Sequence, residues 1–306
     1  MHLIDGGLST QLSMLGARID GPLWTGRALL DDPRLVEQAH RDFVDAGATA
    51  VITSSYQLSR AGFLAGGMSV ADADRALTES VAVARRAVGD ARHPGGPRAL
   101  VAASVGPFGA ITHDGAEYRG NYGVAHDELA AFHRERLEVL VAAGPDVLAI
   151  ETIPDLVEAR VLSGLLGAHP AIPKWFSFTC ADERRLWAGP SIEEAVAAVA
   201  DTPGLIAVGV NCVEPELVAG LARRIRAVTD LAIIAYPNRG GTWDAAAGRW
   251  RGTRTGSFAD WLPAWRDAGV AIVGGCCGTD ASDIARLRAA LADSYESLSV
   301  FRRRQA

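Results

Sequence analysis

Apolar positions in this chain fall into short runs that alternate with longer amphipathic stretches, and one junction between the two recurs. A stretch of helical period closes on Asp45-Ala46-Gly47 and passes at once into Ala50-Val51-Ile52-Thr53. Ala142-Ala143-Gly144 leads in the same way into Val147-Leu148-Ala149-Ile150, and Asp267-Ala268-Gly269 into Val270-Ala271-Ile272-Val273. Glycine suits the left-handed position that ends a helix. The β-branched run after it reads as a parallel strand buried on both faces. Three such echoes spread along the chain predict one repeated βα unit, not two unrelated domains.

Carried through, the pattern predicts eight strands, near residues 3–6, 48–54, 99–105, 147–151, 174–178, 205–210, 232–236 and 270–274. Several of the helices between them carry start signals. Asp32-Pro33 offers an N-cap with proline in the first turn. Ser191 with Glu194, and Thr152 with Asp155, match capping boxes. Eight alternations in 306 residues favour an α/β fold of the (β/α)8 TIM-barrel type, one domain over 1–306, over an open doubly wound sheet. No glycine-rich dinucleotide fingerprint follows the first strand, which agrees. The short basic run Arg302-Arg303-Arg304 is expected to end the chain as a frayed tail at about 300–306.

In such barrels the chemistry sits at the carboxyl ends of the strands. There the first strand carries Asp5-Gly6-Gly7, the second Ser55-Tyr56-Gln57, and the third Gly106-Pro107-Phe108-Gly109. The fourth ends on Glu151-Thr152, the fifth on Thr179-Cys180, the sixth on Asn211-Cys212. The seventh ends on Tyr236-Pro237-Asn238 and the eighth on Gly274-Gly275-Cys276-Cys277-Gly278. The sixth and eighth strands are near neighbours around the rim, so Cys212, Cys276 and Cys277 converge although 64 residues separate the first two. Three thiolates suit a borderline-soft Zn²⁺ with one position left open for substrate. Adjacent residues of a regular strand face opposite sides, so both Cys276 and Cys277 serve one metal only if the flanking glycines let the backbone leave the strand. Two other readings stand beside this one: small buried apolar groups, which free cysteines commonly are, and a vicinal Cys276–Cys277 disulfide. Cys180 reads as a packed thiol of the first kind.

Composition narrows the class further. A net charge of −6 gives no support for a nucleic-acid-binding face. The start reaches Asp5 before any apolar run of signal-peptide length, and no stretch of about 18 apolar residues offers a membrane span. Four cysteines are too few for a disulfide scaffold, so a cytoplasmic protein with reduced thiols is expected.

These strand ends resemble the homocysteine S-methyltransferase family from the first strand to the eighth. The motifs are Asp5-Gly6-Gly7, Pro22-Leu23-Trp24, Thr53-Ser54-Ser55-Tyr56-Gln57, Gly106-Pro107-Phe108-Gly109-Ala110 and Glu151-Thr152-Ile153-Pro154. Gly209-Val210-Asn211-Cys212, Tyr236-Pro237-Asn238 and Gly274-Gly275-Cys276-Cys277-Gly278-Thr279 complete them. The resemblance implies one Zn²⁺ on Cys212, Cys276 and Cys277, with Asp5 and Glu151 contacting homocysteine and Tyr56 close to the metal. Asn211 joins the substrate-binding set through its motif. Segment 117–123 resembles the branch that takes its methyl group from S-methylmethionine or S-adenosylmethionine. Trp24, Phe108 and Tyr236 are candidates for the walls of the donor pocket, since an aromatic face attracts a sulfonium as it does other cations. Two residues depart from the family pattern. Arg239 stands where a small residue is expected, and Gly278 where an arginine often follows the cysteine pair. A cation at 239 facing the rim would repel a sulfonium unless a ligand carboxylate pairs with it. The alternatives are a betaine-type thiol methyltransferase of the same fold and a non-catalytic zinc or thiol-sensing barrel.

Overall fold

Eight strands pair side by side in one sheet: β1 (His2–Leu3), β2 (Ala50–Ile52), β3 (Leu100–Val105), β4 (Val147–Ile153), β5 (Lys174–Phe178), β6 (Leu205–Asn211), β7 (Ala232–Tyr236) and β8 (Val270–Val273). Their spatial order is β1-β8-β7-β6-β5-β4-β3-β2, and every pairing is parallel. A parallel bridge between Ile4 and Ala50 joins the two ends, and the Asp5 N–H donates to the Ala50 carbonyl at 3.1 Å. The sheet is thereby the single-domain (β/α)8 TIM barrel that the periodicity predicts. This computed structural model describes residues 1–19, 23–89, 98–240, 242–244, 249–251 and 257–291. Pro22 and the expected tail at about 300–306 lie outside the described residues. An antiparallel pair, Thr242–Asp244 with Arg249–Arg251, follows β7 and stands outside the eight expected strands.

The helix signals hold with one exception. Asp32 caps the helix Pro33–Ala46 by accepting from the Arg34 N–H, and Gly47 ends it at φ 110°. Gly144 and Gly269 take the same left-handed role at φ 72° and 91°. Ser191 and Glu194 form a reciprocal capping box at Ile192–Val199. Thr152 and Asp155 do not. β4 continues to Ile153, Asp155 is itself the N-cap of Leu156–Leu166, and its carboxylate accepts from the Val157 N–H. Thr152 instead stands at φ 61° within the strand end.

Strands buried on both faces still sort their side chains with a period of two. Ala102, Val147, Ala149, Trp175, Ala207, Ile234 and Tyr236 belong to the inner cluster that fills the barrel. Val101, Leu148, Ile150, Phe176, Val208 and Ile233 pack outward against the helices. Continuing the inward register upward along each strand reaches Ser104 on β3, Glu151 on β4, Ser177 on β5 and Asn211 on β6. The topmost inward positions are thus polar, above an apolar plug.

Candidate active site

A cavity opens at the carboxyl-terminal mouth of the barrel. Its wall includes Asp5, Trp24, Tyr56, Glu117, Tyr118, Glu151, Thr152, Cys212, Tyr236, Cys276 and Cys277. No lysine, arginine or histidine lines it among the described residues.

The three sulfurs of Cys212, Cys276 and Cys277 lie within 4.8 Å of one another and are half-buried. Ligands about 2.3 Å from a tetrahedral zinc sit about 3.8 Å apart, so the spacing and the donor chemistry fit that ion. Local backbone explains why adjacent cysteines reach one place. β8 ends at Val273, and the chain turns at Cys277-Gly278, with Gly278 at φ 81°. The Thr279 hydroxyl donates to the Cys276 carbonyl at 2.6 Å and holds the turn. Gly7 is needed opposite, because a Cβ there would strike the Cys276 carbonyl. Cys212 follows β6 at φ 50°, a left-handed conformation that turns its sulfur from the strand direction.

The Cys212 and Cys276 sulfurs lie within reach of a disulfide, with Cα atoms 5.6 Å apart, and Cys277 is a free thiol beside them. A disulfide here would join β6 to β8, not the vicinal Cys276–Cys277 pair. A metal needs all three sulfurs as thiolates, so disulfide and metal are alternative states of one cluster. Burial pushes the Cys277 thiol up to about 12, although the Tyr118 hydroxyl donates to it. Cys180 is a buried free thiol in the outer core.

The carboxylates are held rigidly. Asp5 accepts from the Ile52 N–H at 2.7 Å through Oδ2, while its buried Oδ1 has no partner. Desolvation raises its pKa well above the carboxylate range. Glu151 accepts from the Ser104 and Tyr236 hydroxyls, yet burial lifts it to about 7. Tyr236 also accepts from the Trp175 indole at 3.1 Å. It therefore lines the cavity chiefly as a support for Glu151. Tyr56 receives a hydrogen bond from the Thr152 hydroxyl, and its ring meets that of Trp24 edge-on at 6.3 Å.

Two expected site residues lie behind this wall. Phe108 packs against Tyr122 and Phe132 and does not line the cavity. Asn211 is fully buried: its Oδ1 accepts from the Thr152 N–H and its Nδ2 donates to the Thr152 hydroxyl, both at 2.7 Å. It clamps the ends of β4 and β6. Arg239 does not face the rim cavity either. It forms an ion pair with buried Asp283, and its N–H donates to the Cys277 carbonyl at 2.9 Å. Its Cβ lies against the place a side chain at 278 would occupy, so the two departures from the family pattern adjoin.

A buried polar group beneath the β2 and β3 loops escaped the sequence reading. Arg136 donates to the carbonyls of Ser55, Tyr56 and Gly106 at 3.3, 2.9 and 3.0 Å. Glu158 accepts from the Phe108 N–H, the Tyr122 hydroxyl and the His133 ring. The available signal was helical spacing. In His126–Ala142 the buried face runs through Leu129, Phe132, His133, Arg136, Leu137 and Leu140, with two polar residues at core positions.

A closed parallel barrel with a thiol cluster able to hold a metal and buried carboxylates at its mouth defines the class: a (β/α)8 barrel with a candidate metal-dependent active site. Residues 2–291 match the family described as homocysteine S-methyltransferase, and the chain belongs to that family. It is 40% identical to homocysteine S-methyltransferase of Escherichia coli (strain K12) over 94% of each chain. It is equally identical, 40%, to homocysteine S-methyltransferase 1 of Arabidopsis thaliana over 92% of this chain and 90% of that one. Among solved structures, the metallated form of the Escherichia coli homocysteine methyltransferase MmuM matches with a TM-score of 0.84 at 38% identity, covering 94% of this chain and 96% of that one. Its oxidised form matches with the same TM-score and identity over 94% and 95%. The protein is accordingly a methyltransferase that acts on homocysteine. No helix among the described residues is long and apolar enough to cross a membrane.

Proposed function

We propose that this enzyme transfers a methyl group from a sulfonium donor to the homocysteine thiol, with zinc held by Cys212, Cys276 and Cys277. The observation that carries the reading is one cavity joining three sulfurs to buried carboxylates, with no cationic side chain in its wall among the described residues. Bound to those thiolates, zinc supplies a positive centre that keeps the homocysteine sulfur deprotonated near neutral pH, where a free thiol is mostly protonated. A relative at 38% identity is known in a metallated form, which supports a metal in this enzyme.

The chain's own residues do the rest. Asp5 and Glu151 hold the homocysteine ammonium and orient the amino acid, and the unpaired Asp5 Oδ1 awaits such a donor. The homocysteine sulfur forms a bond to the methyl carbon as the donor's sulfur–methyl bond breaks, its electron pair staying on the departing neutral thioether. Charge is annihilated in that step, so an enclosed site with little water favours it, provided both sulfurs and the methyl carbon stand in line. Trp24 and Tyr56 offer aromatic faces to the sulfonium, and Tyr118 donates to Cys277. Leu8, Ser9 and Trp24 after β1, with Glu117 and Tyr118 after β3, crowd the mouth. The smaller donor is favoured by that crowding. With Arg239 engaged by Asp283, its guanidinium does not oppose the donor.

The expected order is S-methylmethionine, then S-adenosylmethionine, with betaine negligible. Methionine formation from homocysteine, with each donor offered separately to the reduced, zinc-loaded enzyme, tests it. Betaine turnover equal to that of the sulfonium donors overturns the reading.

A further inference from the structure

Glu117 enters the scheme above only through its bulk at the mouth. It lies on the short turn Ala116–Tyr118 in the loop after β3, away from the barrel strands that carry Asp5 and Glu151. Its side chain lines the same cavity, and its Oε2 is buried with no hydrogen-bond partner among the described residues. It shares that cavity wall with Tyr56, Tyr118 and Cys277.

The backbone that carries Glu117 is pinned on both sides. Asp114 accepts from the Ala116 N–H and the Thr112 hydroxyl at one end. At the other, the Asn121 N–H donates to Asp155 at 2.7 Å and the Tyr122 hydroxyl to Glu158 at 2.8 Å. Gly109 lets the two backbones touch, since a Cβ there would lie 2.5 Å from Glu117 N. The cation nearest in sequence is already engaged: Arg119 donates to the Asp114 carbonyl and carboxylate at 2.6 and 2.7 Å. Burial raises the Glu117 carboxyl above its ordinary range; a half-buried carboxylate that faces a cavity with one oxygen unpartnered is relieved by a cationic ligand.

Homocysteine brings one positive group, for which Asp5 and Glu151 suffice. The donor brings charge that homocysteine lacks. We propose that Glu117 receives the positive charge of the methyl donor, forming with Tyr56 and Trp24 a subsite for a sulfonium amino acid. The inference rests on the sulfonium reading above. It makes Glu117 a determinant of donor choice and leaves homocysteine binding to the strand-end carboxylates.

The test uses full-length, zinc-loaded, reduced enzyme and the variants Glu117→Gln and Glu117→Asp. Four quantities are measured: metal content, homocysteine dissociation constant, KM for S-methylmethionine, and the ratio of affinities for S-methylmethionine and its neutral thioether counterpart, methionine. For Glu117→Gln, loss of a charge-assisted contact predicts a donor KM raised on the order of 10- to 100-fold. The charged-to-neutral ratio falls in parallel, while zinc and homocysteine affinity stay as in the wild type. Glu117→Asp keeps the charge and loses less. A merely structural role weakens methionine and S-methylmethionine equally, and that result overturns the proposal, as does an unchanged donor KM. Failure of the wild-type enzyme to use any sulfonium donor sinks the underlying reading instead, so the two failures are distinguishable.

Discussion

Substituting Asn211 by alanine probes the clamp beneath the site. Asn211 ends β6 with no exposed surface and makes two 2.7 Å hydrogen bonds to Thr152, at its N–H and its hydroxyl. Those bonds hold two backbone conformations that non-glycine residues rarely adopt, Thr152 at φ 61° and the neighbouring Cys212 at φ 50°. Asn211→Ala removes both bonds, worth about 1 kcal/mol each, and leaves the Thr152 N–H buried and unpaired at about 1–3 kcal/mol more. The sum, roughly 3–5 kcal/mol, exceeds the usual effect of a point substitution. Urea unfolding of the metal-free, reduced protein is the appropriate assay, because bound metal or substrate would add its own stabilisation. The midpoint is expected to fall with little change of slope. In a cycle with Thr152→Ala the two losses should be less than additive, since both remove the same hydroxyl contact. A loss below about 1 kcal/mol, or intact stability with lost homocysteine affinity, would refute the clamp and return Asn211 to direct substrate contact.

Three further outcomes are expected. Cys212→Ala, Cys276→Ala and Cys277→Ala each lose most bound zinc under reducing conditions without unfolding; full metal retention in any one removes that residue from the site. Glu151→Gln keeps zinc and weakens homocysteine binding by about 1.5–3 kcal/mol; wild-type affinity would rule out the ammonium contact. The Glu151 carboxyl, lifted from 4.5 to about 7 by burial, also sets a pH dependence. Its folded value lies above its unfolded one, so its stabilising contribution to the metal-free protein is complete below about pH 4.5 and is lost as pH rises through 7. Homocysteine affinity runs the opposite way over pH 6–8, strengthening as the carboxylate forms, and a titration of the dissociation constant in wild type against Glu151→Gln separates this group from the others.

The barrel was readable because its signals are local. Ala-Gly junctions at 47, 144 and 269 stop helices through left-handed backbone that glycine adopts without strain, and the runs after them can form only buried strands. The inventory of strand ends followed, since the rim of a barrel orders its residues by strand number. Asp5, Glu151 and the three cysteines stand where that count puts them. What each rim residue touches was another matter. Thr152 looks like a helix cap in one dimension and is a strand-end partner of Asn211, 59 residues away. Phe108 sits at a strand end but turns back onto Phe132, and Arg239 turns aside to Asp283. Arg136 and Glu158 read as surface charges until the helices that carry them are laid against the β2 and β3 loops. Sequence by itself determined the architecture and the chemistry available at its mouth, because period, capping and strand order are properties of neighbouring residues. Tertiary structure alone decided which polar groups face the cavity and which brace it. A hydrogen bond depends on approach to within a few tenths of an ångström, and in this barrel the partners arrive on separate strands and loops.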